Sequence, residues 1–588
     1  MGKRLRHAPM VHPSASTTGV WWLLISPTFL PILLPCPWRK PGYGGGAMNL
    51  FTPTLGRRKF LGQLGGTALL TTLPGGVFAE DEDLVTISIL HTTDLHGHIV
   101  PTQTYAEDDG SVTKDVGGLA RCVTQIRAWQ QANPNHLLLD VGDIYQGTHV
   151  SLSTRGQLMM SLLNRMNYDA WVIGNHEFDW GYEPMVEVVK ASTVPVLGSN
   201  AKVGDVFANM LKDKSHPLAK IKPYVVKEVA GFRIGIIGTI TPGLPDWLAP
   251  RLLGEFSAAP PIRSLIYAMR RLQAERVDAI VLASHMGLKG IGKADDFANR
   301  INELAKEVPG VNVIIAGHTH RDIPSHQVHG VPYTQANYYG IHCGKVDLVF
   351  SKTTRKLQSV TMATKLMDHT IAQDPMILAA SAKEREVSDR EWQREIGELT
   401  APLSKQSAPG QPAQTLLLLT RAIRFSLEKR QLPVAAVLHG NFFEFDLKPG
   451  KKTIADAWEL VPYENFLCTA GFTKAELVLI LDECLNGFRS THNLDGMVVK
   501  TEKQGRKTKV TDITLPGGQP LDPERRYRIA LNSYDAQSGG RRFEILKQLA
   551  TSAAAAQQVF EVQSRDAVIE FLTEKKSIGL KELGILNT

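Results

Sequence analysis

Cysteine is scarce in this chain of 588 residues. There are five, Cys36, Cys122, Cys343, Cys468 and Cys484, with no CxxC pair and no dense framework. That excludes a disulfide-built scaffold and favours the thiols as small buried hydrophobes, and nothing in the sequence selects a pair for oxidation. An unbroken apolar run long enough to cross a membrane is also missing. The stretch VWWLLISPTFLPILLP (20–35) is short and broken by Pro27, Pro31 and Pro35, whereas a span needs about 20 apolar residues. A net positive charge is missing from the body of the chain, although the formal net charge is +7. Lys3, Arg4, Arg6, Arg39, Lys40, Arg57, Arg58 and Lys59 all lie within residues 1–79, which hold no Asp or Glu, so the remainder carries −1. A near-neutral body excludes the basic footprint of a nucleic-acid binder. Internal repeats and low-complexity tracts are absent too. What remains is ordinary soluble composition, 43% hydrophobic and 21% charged, in a chain too long for one hydrophobic core, so two or more domains are expected.

The basic N-terminal segment has its own pattern. In TLGRRKFLGQLGGTALLTTLPGGVFAE, paired Arg57 and Arg58 precede Phe60 and Leu61, a mildly apolar Gly/Thr-rich stretch and the small-residue end Val77-Phe78-Ala79. This order resembles a twin-arginine export signal, which predicts a periplasmic or otherwise exported protein with no membrane span in its mature form. Met48 opens a leader of normal length. Residues 1–47 are therefore expected to be untranslated or disordered, and 48–79 to be the signal.

From about Leu84 to Lys352, short β-rich runs alternate with helical patterns. The runs are VTISIL (85–90), HLLLDV (136–141), AWVIG (170–174), FRIGIIG (232–238), DAIVLAS (278–284) and NVIIAG (312–317). Runs this continuous suit strands covered on both faces, hence an α/β sandwich. A charged, mostly helical connector follows (371–412), ending in the Pro/Gly/Ser-rich SKQSAPGQPAQ. A second unit (413–588) contains the helices TLLLLTRAIRFSLEK and KAELVLILDECL and the strand RYRIALNS (526–533).

The polar residues just past these runs carry the chemistry. VTISIL leads to Asp94 and His96, HLLLDV to Asp143, AWVIG to Asn175, His176 and Asp179, DAIVLAS to His285, and NVIIAG to His318 and His320. Taken singly, each reads as a turn or a helix cap. Five coincidences of residue type and position do not, because ligands of α/β sheets gather outside the carboxyl ends of strands. Imidazole-rich, thiolate-free donors suit Zn, Mn or Co rather than Ca or Mg. Two such ions about 3.5–4 Å apart clamp a phosphoryl group and generate hydroxide at neutral pH.

In that order and spacing, DLHGH, GDIYQG, GNHEFD, SHMG and GHTH resemble the calcineurin-like metallophosphoesterase superfamily. HTTDLHGH (91–98) and the chain length narrow the resemblance to the bacterial periplasmic 5′-nucleotidase family. The resemblance implies an α/β fold: a four-layer αββα metallophosphoesterase sandwich at 84–370 and a smaller C-terminal α/β substrate-binding domain. It implies two divalent ions, with Asp94, His96 and His320 on the first, Asn175, His285 and His318 on the second, and Asp143 bridging both. His176 would then stabilise the substrate phosphate and protonate the leaving oxygen, oriented by Asp179. Glu177 is left between a supporting role and a helix-start carboxylate.

The second domain departs from the family pattern. Where a GGGIR-type loop would lie, the chain reads LHGNFFEFDLKPG, with Phe442 and Phe443 and no arginine. The aromatic pair that would sandwich a base is matched by Tyr463 in VPYEN and Tyr534 in NSYDAQSGGRRF. In place of a GGDGF-type loop stand Arg541 and Arg542, Arg541 suited to a phosphate or carboxylate. The expected function is hydrolysis of a phosphomonoester, a small phosphorylated substrate with a 5′-nucleotide foremost. Alternatives are a 2′,3′-cyclic nucleotide or nucleotide-sugar hydrolase, a thiosulfohydrolase-like enzyme, or a non-catalytic binding protein. The intact Asn175-His176 pair opposes the thiosulfohydrolase, which carries a GHWEF-like sequence there. The full ligand set opposes the binding protein.

Overall fold

A computed structural model describes residues 83–105, 112–407, 411–440, 446–487 and 492–585. The residues expected to form an export signal (48–79), Phe442 and Phe443 lie outside the described residues. Two six-stranded sheets dominate the first part. One runs Leu357–Leu366, His342–Ser351, Leu84–Thr92, His136–Asp140, Ala170–Val172 and Val196–Leu197. The other runs Asp322–Val328, Val331–Ala336, Val313–Ala316, Ala279–His285, Phe232–Ile240 and Tyr224–Val229. In both, the strands that precede the predicted site residues are parallel neighbours.

These strands read as continuous apolar runs because both of their faces are covered. Helices Leu119–Ala132, Gln157–Arg165 and Tyr182–Ala191 share a core cluster with the first sheet, while Pro261–Ala274 and Ile301–Glu307 share one with the second. Between the sheets, Phe232 packs on Phe350 with ring centroids 4.6 Å apart. A Cβ on Gly238 would stand 2.3 Å from Leu197 Cβ, so only glycine lets the two sheets approach there. The layering is the expected αββα sandwich.

The second part is built on a five-stranded mixed sheet: Asn493–Asp495, Ala436–His439, Tyr527–Asn532, Phe466–Phe472 and Gln558–Gln563. Helices Gln414–Lys429, Lys474–Asn486 and Ser564–Lys575 cover it. Thr473 and Glu476 form a capping box that starts the middle helix.

The connector differs from expectation. Its helix, Pro375–Trp392, is N-capped by Asp374, but the EIGEL stretch expected to continue it is the strand Glu395–Leu399. That strand pairs with Gly450–Thr453 and Ser577–Ile578. Ile396 and Leu399 are each 2% exposed, in one cluster with the C-terminal helix. Their burial outweighs the weak helix preference of a Glu-rich run.

Candidate metal centre

Five loops leave parallel strand ends from both sheets and converge. Their backbones are unusual: Asp94 (φ 51°), His96 (48°), Asp143 (56°), His318 (72°) and His320 (53°) all occupy the left-handed region. For a residue with a Cβ this conformation costs roughly 1–2 kcal/mol, and Asp, Asn and His tolerate it best. Gly174 makes the closest approach, since a Cβ there would lie 2.1 Å from Asp143 Oδ1.

The predicted residues fall into two groups that share one carboxylate. Asp94, His96, Asp143 and His320 could hold one metal ion, and Asp143, His285 and His318 another. His96 Nε2 lies 3.0 Å from His320 Nε2 and 3.9 Å from Asp143 Oδ2, and His320 Nε2 lies 3.4 Å from Asp94 Oδ1. On the other side, His285 Nε2 is 3.0 Å from Asp143 Oδ2 and 3.2 Å from Asn175 Oδ1.

The donor set fits a cation. Asp143 Oδ2 is buried with only the candidate ligands His285 and His96 near it, at 3.0 and 3.9 Å, a costly state for a carboxylate oxygen unless something binds it. Backbone carbonyls fix two tautomers: His96 Nδ1 donates to Gln146 O at 2.7 Å and His285 Nδ1 to Val141 O at 2.6 Å. In each neutral ring the Nε2 lone pair then faces the other donors, the arrangement common to metal-bound histidines. With the cluster's own charges, burial opposes protonation of His285 but Asp143 reverses it, raising its pKa to about 9. Burial, helped by His285, takes His318 down to about 3.

His176 and Asp179 sit beside these groups and belong to neither. The short 3₁₀ turn His176–Phe178 brings His176 Nδ1 to 2.7 Å from Asp179 Oδ2. Burial disfavours charge on the imidazole, yet Asp179 and then Asp143 outweigh it and push the pKa up to about 10. Burial also lifts Asp179, to about 6, against the pull of His176. Glu177 has a clear structural task. Its carboxylate accepts from the N–H groups of Gly174 (2.6 Å), Asp143 (3.0 Å) and Ile144 (2.8 Å), tying the GNHE turn to the Asp143 loop.

Sequence reasoning passed over several neighbours. Tyr339, in NYYG past the strand Val331–Ala336, donates its N–H to Asp94 O at 2.7 Å and stacks on His98. Gln146 reaches Glu464 in the second part of the chain. Trp247 lies with its ring centroid 5.3 Å from that of His318. Two aromatic residues and a glutamine carry no ligand signature, so only their place after strand ends could have marked them.

The substrate candidates lie in the second part, apart from the ligand groups. Tyr463 is half-buried and close enough to Tyr339 to help raise its pKa. Tyr534 is also half-buried, with the Arg542 guanidinium 5.6 Å from its ring. Arg541 is engaged by the first part: its Nε donates to Asp246 Oδ2 at 3.0 Å and its guanidinium lies over Phe297.

Residues 87–322 match the family of calcineurin-like phosphoesterases, and residues 395–548 match the 5′-nucleotidase C-terminal domain. The chain is 22% identical over 581 residues to the trifunctional nucleotide phosphoesterase protein YfkN of Bacillus subtilis, an alignment covering 84% of this chain and 38% of that one. It is 24% identical over 577 residues to the probable 5′-nucleotidase of Treponema pallidum, covering 84% and 92%. A 5′-nucleotidase precursor from Thermus thermophilus shares the fold at a TM-score of 0.62 and 24% identity, over 84% of this chain and 97% of that one. With both domain matches in this order and the sandwich in place, the chain belongs to the 5′-nucleotidase family of calcineurin-like metallophosphoesterases.

Proposed function

We propose that the chain is an exported, dinuclear metal-dependent phosphohydrolase that releases phosphate from a phosphomonoester, in the first place a 5′-nucleotide. The observation that carries this reading is the pair of ligand groups sharing Asp143. Asp94, His96 and His320 would hold one ion, Asn175, His285 and His318 the other, and Asp143 both; the donors suit Zn, Mn or Co. When bound, two such ions supply positive charge against a phosphoryl group and a nucleophile drawn from water.

The remaining steps fall to the chain's own side chains. His176 is 18% exposed at its side chain, so a substrate can reach it. Asp179 occupies its Nδ1 and fixes the ring, leaving Nε2 to carry the proton for the departing oxygen. Glu177 and the Asp143 loop hold His176 in place from behind, where the His176 N–H donates to Asp143 Oδ1 at 2.8 Å. Tyr463 and Tyr534 offer stacking faces for a base, each contact contributing about 1–3 kcal/mol. Arg541 keeps 54% of its side chain exposed despite its bond to Asp246 and can meet an anionic group.

The altered C-terminal loops support a second reading on the same centre, a 2′,3′-cyclic nucleotide or nucleotide sugar as substrate. In domain terms, this reading places a twin-arginine signal at 48–79 and the catalytic unit at 84–370. The connector is 371–412 and the substrate unit 413–588, the connector's strand Glu395–Leu399 pairing with strands of that unit. Among the described residues no helix is long and apolar enough to cross a membrane.

The test is phosphate release from AMP, UDP-glucose, a 2′,3′-cyclic nucleotide and p-nitrophenyl phosphate, with added Mn or Co and metal content measured in parallel. Turnover by protein carrying two ions per chain is expected. No turnover of any compound by such protein overturns the reading.

A further inference from the structure

The side chain of Gln146 has no part in the reading above, yet it is 1% exposed and lies in the segment whose carbonyl orients His96. Its Nε2 donates to Glu464 Oε2 at 2.6 Å, across 318 positions of sequence and between the two domains. The other oxygen of Glu464 accepts from Arg565 Nη2 at 3.0 Å. Arg565 is itself 1% exposed, lies over the Trp458 ring at 3.5 Å and donates to Val461 O at 3.2 Å. The buried carboxylate is thus charge-balanced within its own domain, and its second oxygen is spent on the neighbouring one. Burying an ion pair is costly and is tolerated where both partners find further hydrogen bonds, as they do here.

A second contact joins the same domains on the far side of the centre. Arg541 and Lys547 reach Asp246, and the Gly540 N–H donates to Asp246 O at 3.0 Å, beside the Trp247 that packs near His318. Its charged side chains are partly exposed, so water and salt weaken them. The Glu464 contact is dry and lies on the His96 side. It is also one residue from Tyr463, so whatever fixes Glu464 fixes the loop that carries that ring.

We propose that Glu464 is a positioning residue: through Gln146 it registers the C-terminal domain, and Tyr463 with it, against the Asp143 loop, so that a large leaving group is presented to the metal centre in one orientation. The inference rests on the phosphohydrolase reading. It predicts that the contact matters for a nucleotide, which spans both domains, more than for a small aryl phosphate, which does not.

The experiment measures kcat and KM for AMP and for p-nitrophenyl phosphate in the full-length, metal-loaded protein. It compares wild type, Gln146→Met (equal length, no amide), Glu464→Ala and the double variant. Each single change should lower the AMP to p-nitrophenyl phosphate ratio of kcat/KM by about tenfold, the scale of coupling between bonded neighbours, and the double should lower it no further. Ratios that stay within twofold of wild type, or that multiply in the double variant, overturn the proposal. Gln146→Met leaves the Glu464–Arg565 pair whole, so the test stands if Glu464→Ala fails to fold. If wild type hydrolyses neither compound, or the aryl phosphate alone, the nucleotide reading has failed and the proposal falls with it. If wild type hydrolyses both and the ratios do not move, the positioning proposal alone has failed.

Discussion

The candidate metal centre and the contact between the two domains are held by different kinds of structure. At the centre, the backbone does the holding: five donor residues in left-handed conformation, a glycine whose Cβ would strike Asp143, and carbonyls that orient two imidazoles. At the contact between the domains, long side chains do it. Arg541, Lys547 and Arg251 reach from one domain to the other, to Asp246, to Asp246 again and to Glu561. A backbone constraint cannot be altered without moving its neighbours, whereas a surface side chain can be exchanged alone. The difference explains how the DLHGH, GNHEFD and GHTH loops keep their form while the loops around His439 and Arg541 depart from the family pattern.

That contrast can be broken at its strong end first. Asp143→Ala removes the carboxylate that both groups share. Metal content should fall below two ions per chain and phosphate release below detection; two retained ions would show that Asp143 is not shared. His176→Ala strikes the centre without touching a ligand. A drop in kcat/KM of about 10²–10⁴, the usual contribution of a positioned proton donor, should accompany unchanged metal content, and loss of an ion would reassign His176 as a ligand. Glu177→Ala leaves three buried N–H groups unpaired at about 1–3 kcal/mol each. A thermal or denaturant melt should show a loss of about 3 kcal/mol or more, and an unchanged midpoint would mean the turn holds itself. At the weak end, Arg541→Ala removes a partly exposed pair. It should cost no more than about 1 kcal/mol of stability, and a larger loss would mean the contact between the domains is held as firmly as the centre.

The seven candidate donors were legible because each stands at or just past the end of a continuous apolar strand, where residue type and position can be read together. The same rule located the sandwich. It did not locate Glu395–Leu399, since a Glu-rich pentapeptide has no strand signature until Ile396 and Leu399 find a helix to bury against. Nor could it pair Gln146 with Glu464, whose residue types are ordinary and whose separation is 318 positions. Tyr463 and Tyr534 were visible only through the family likeness.

Residues 141–146 have a further consequence, for the order in which the molecule forms. This one segment bonds to Asp94 and His96 through backbone and side chain, to Glu177, to His285 and to Glu464. Its partners are scattered over most of the chain, and closing loops of that length is slow. The full set of bonds to this segment therefore exists only when both sheets and the C-terminal domain are in place. A chain that stops short of His285 lacks members of both ligand groups.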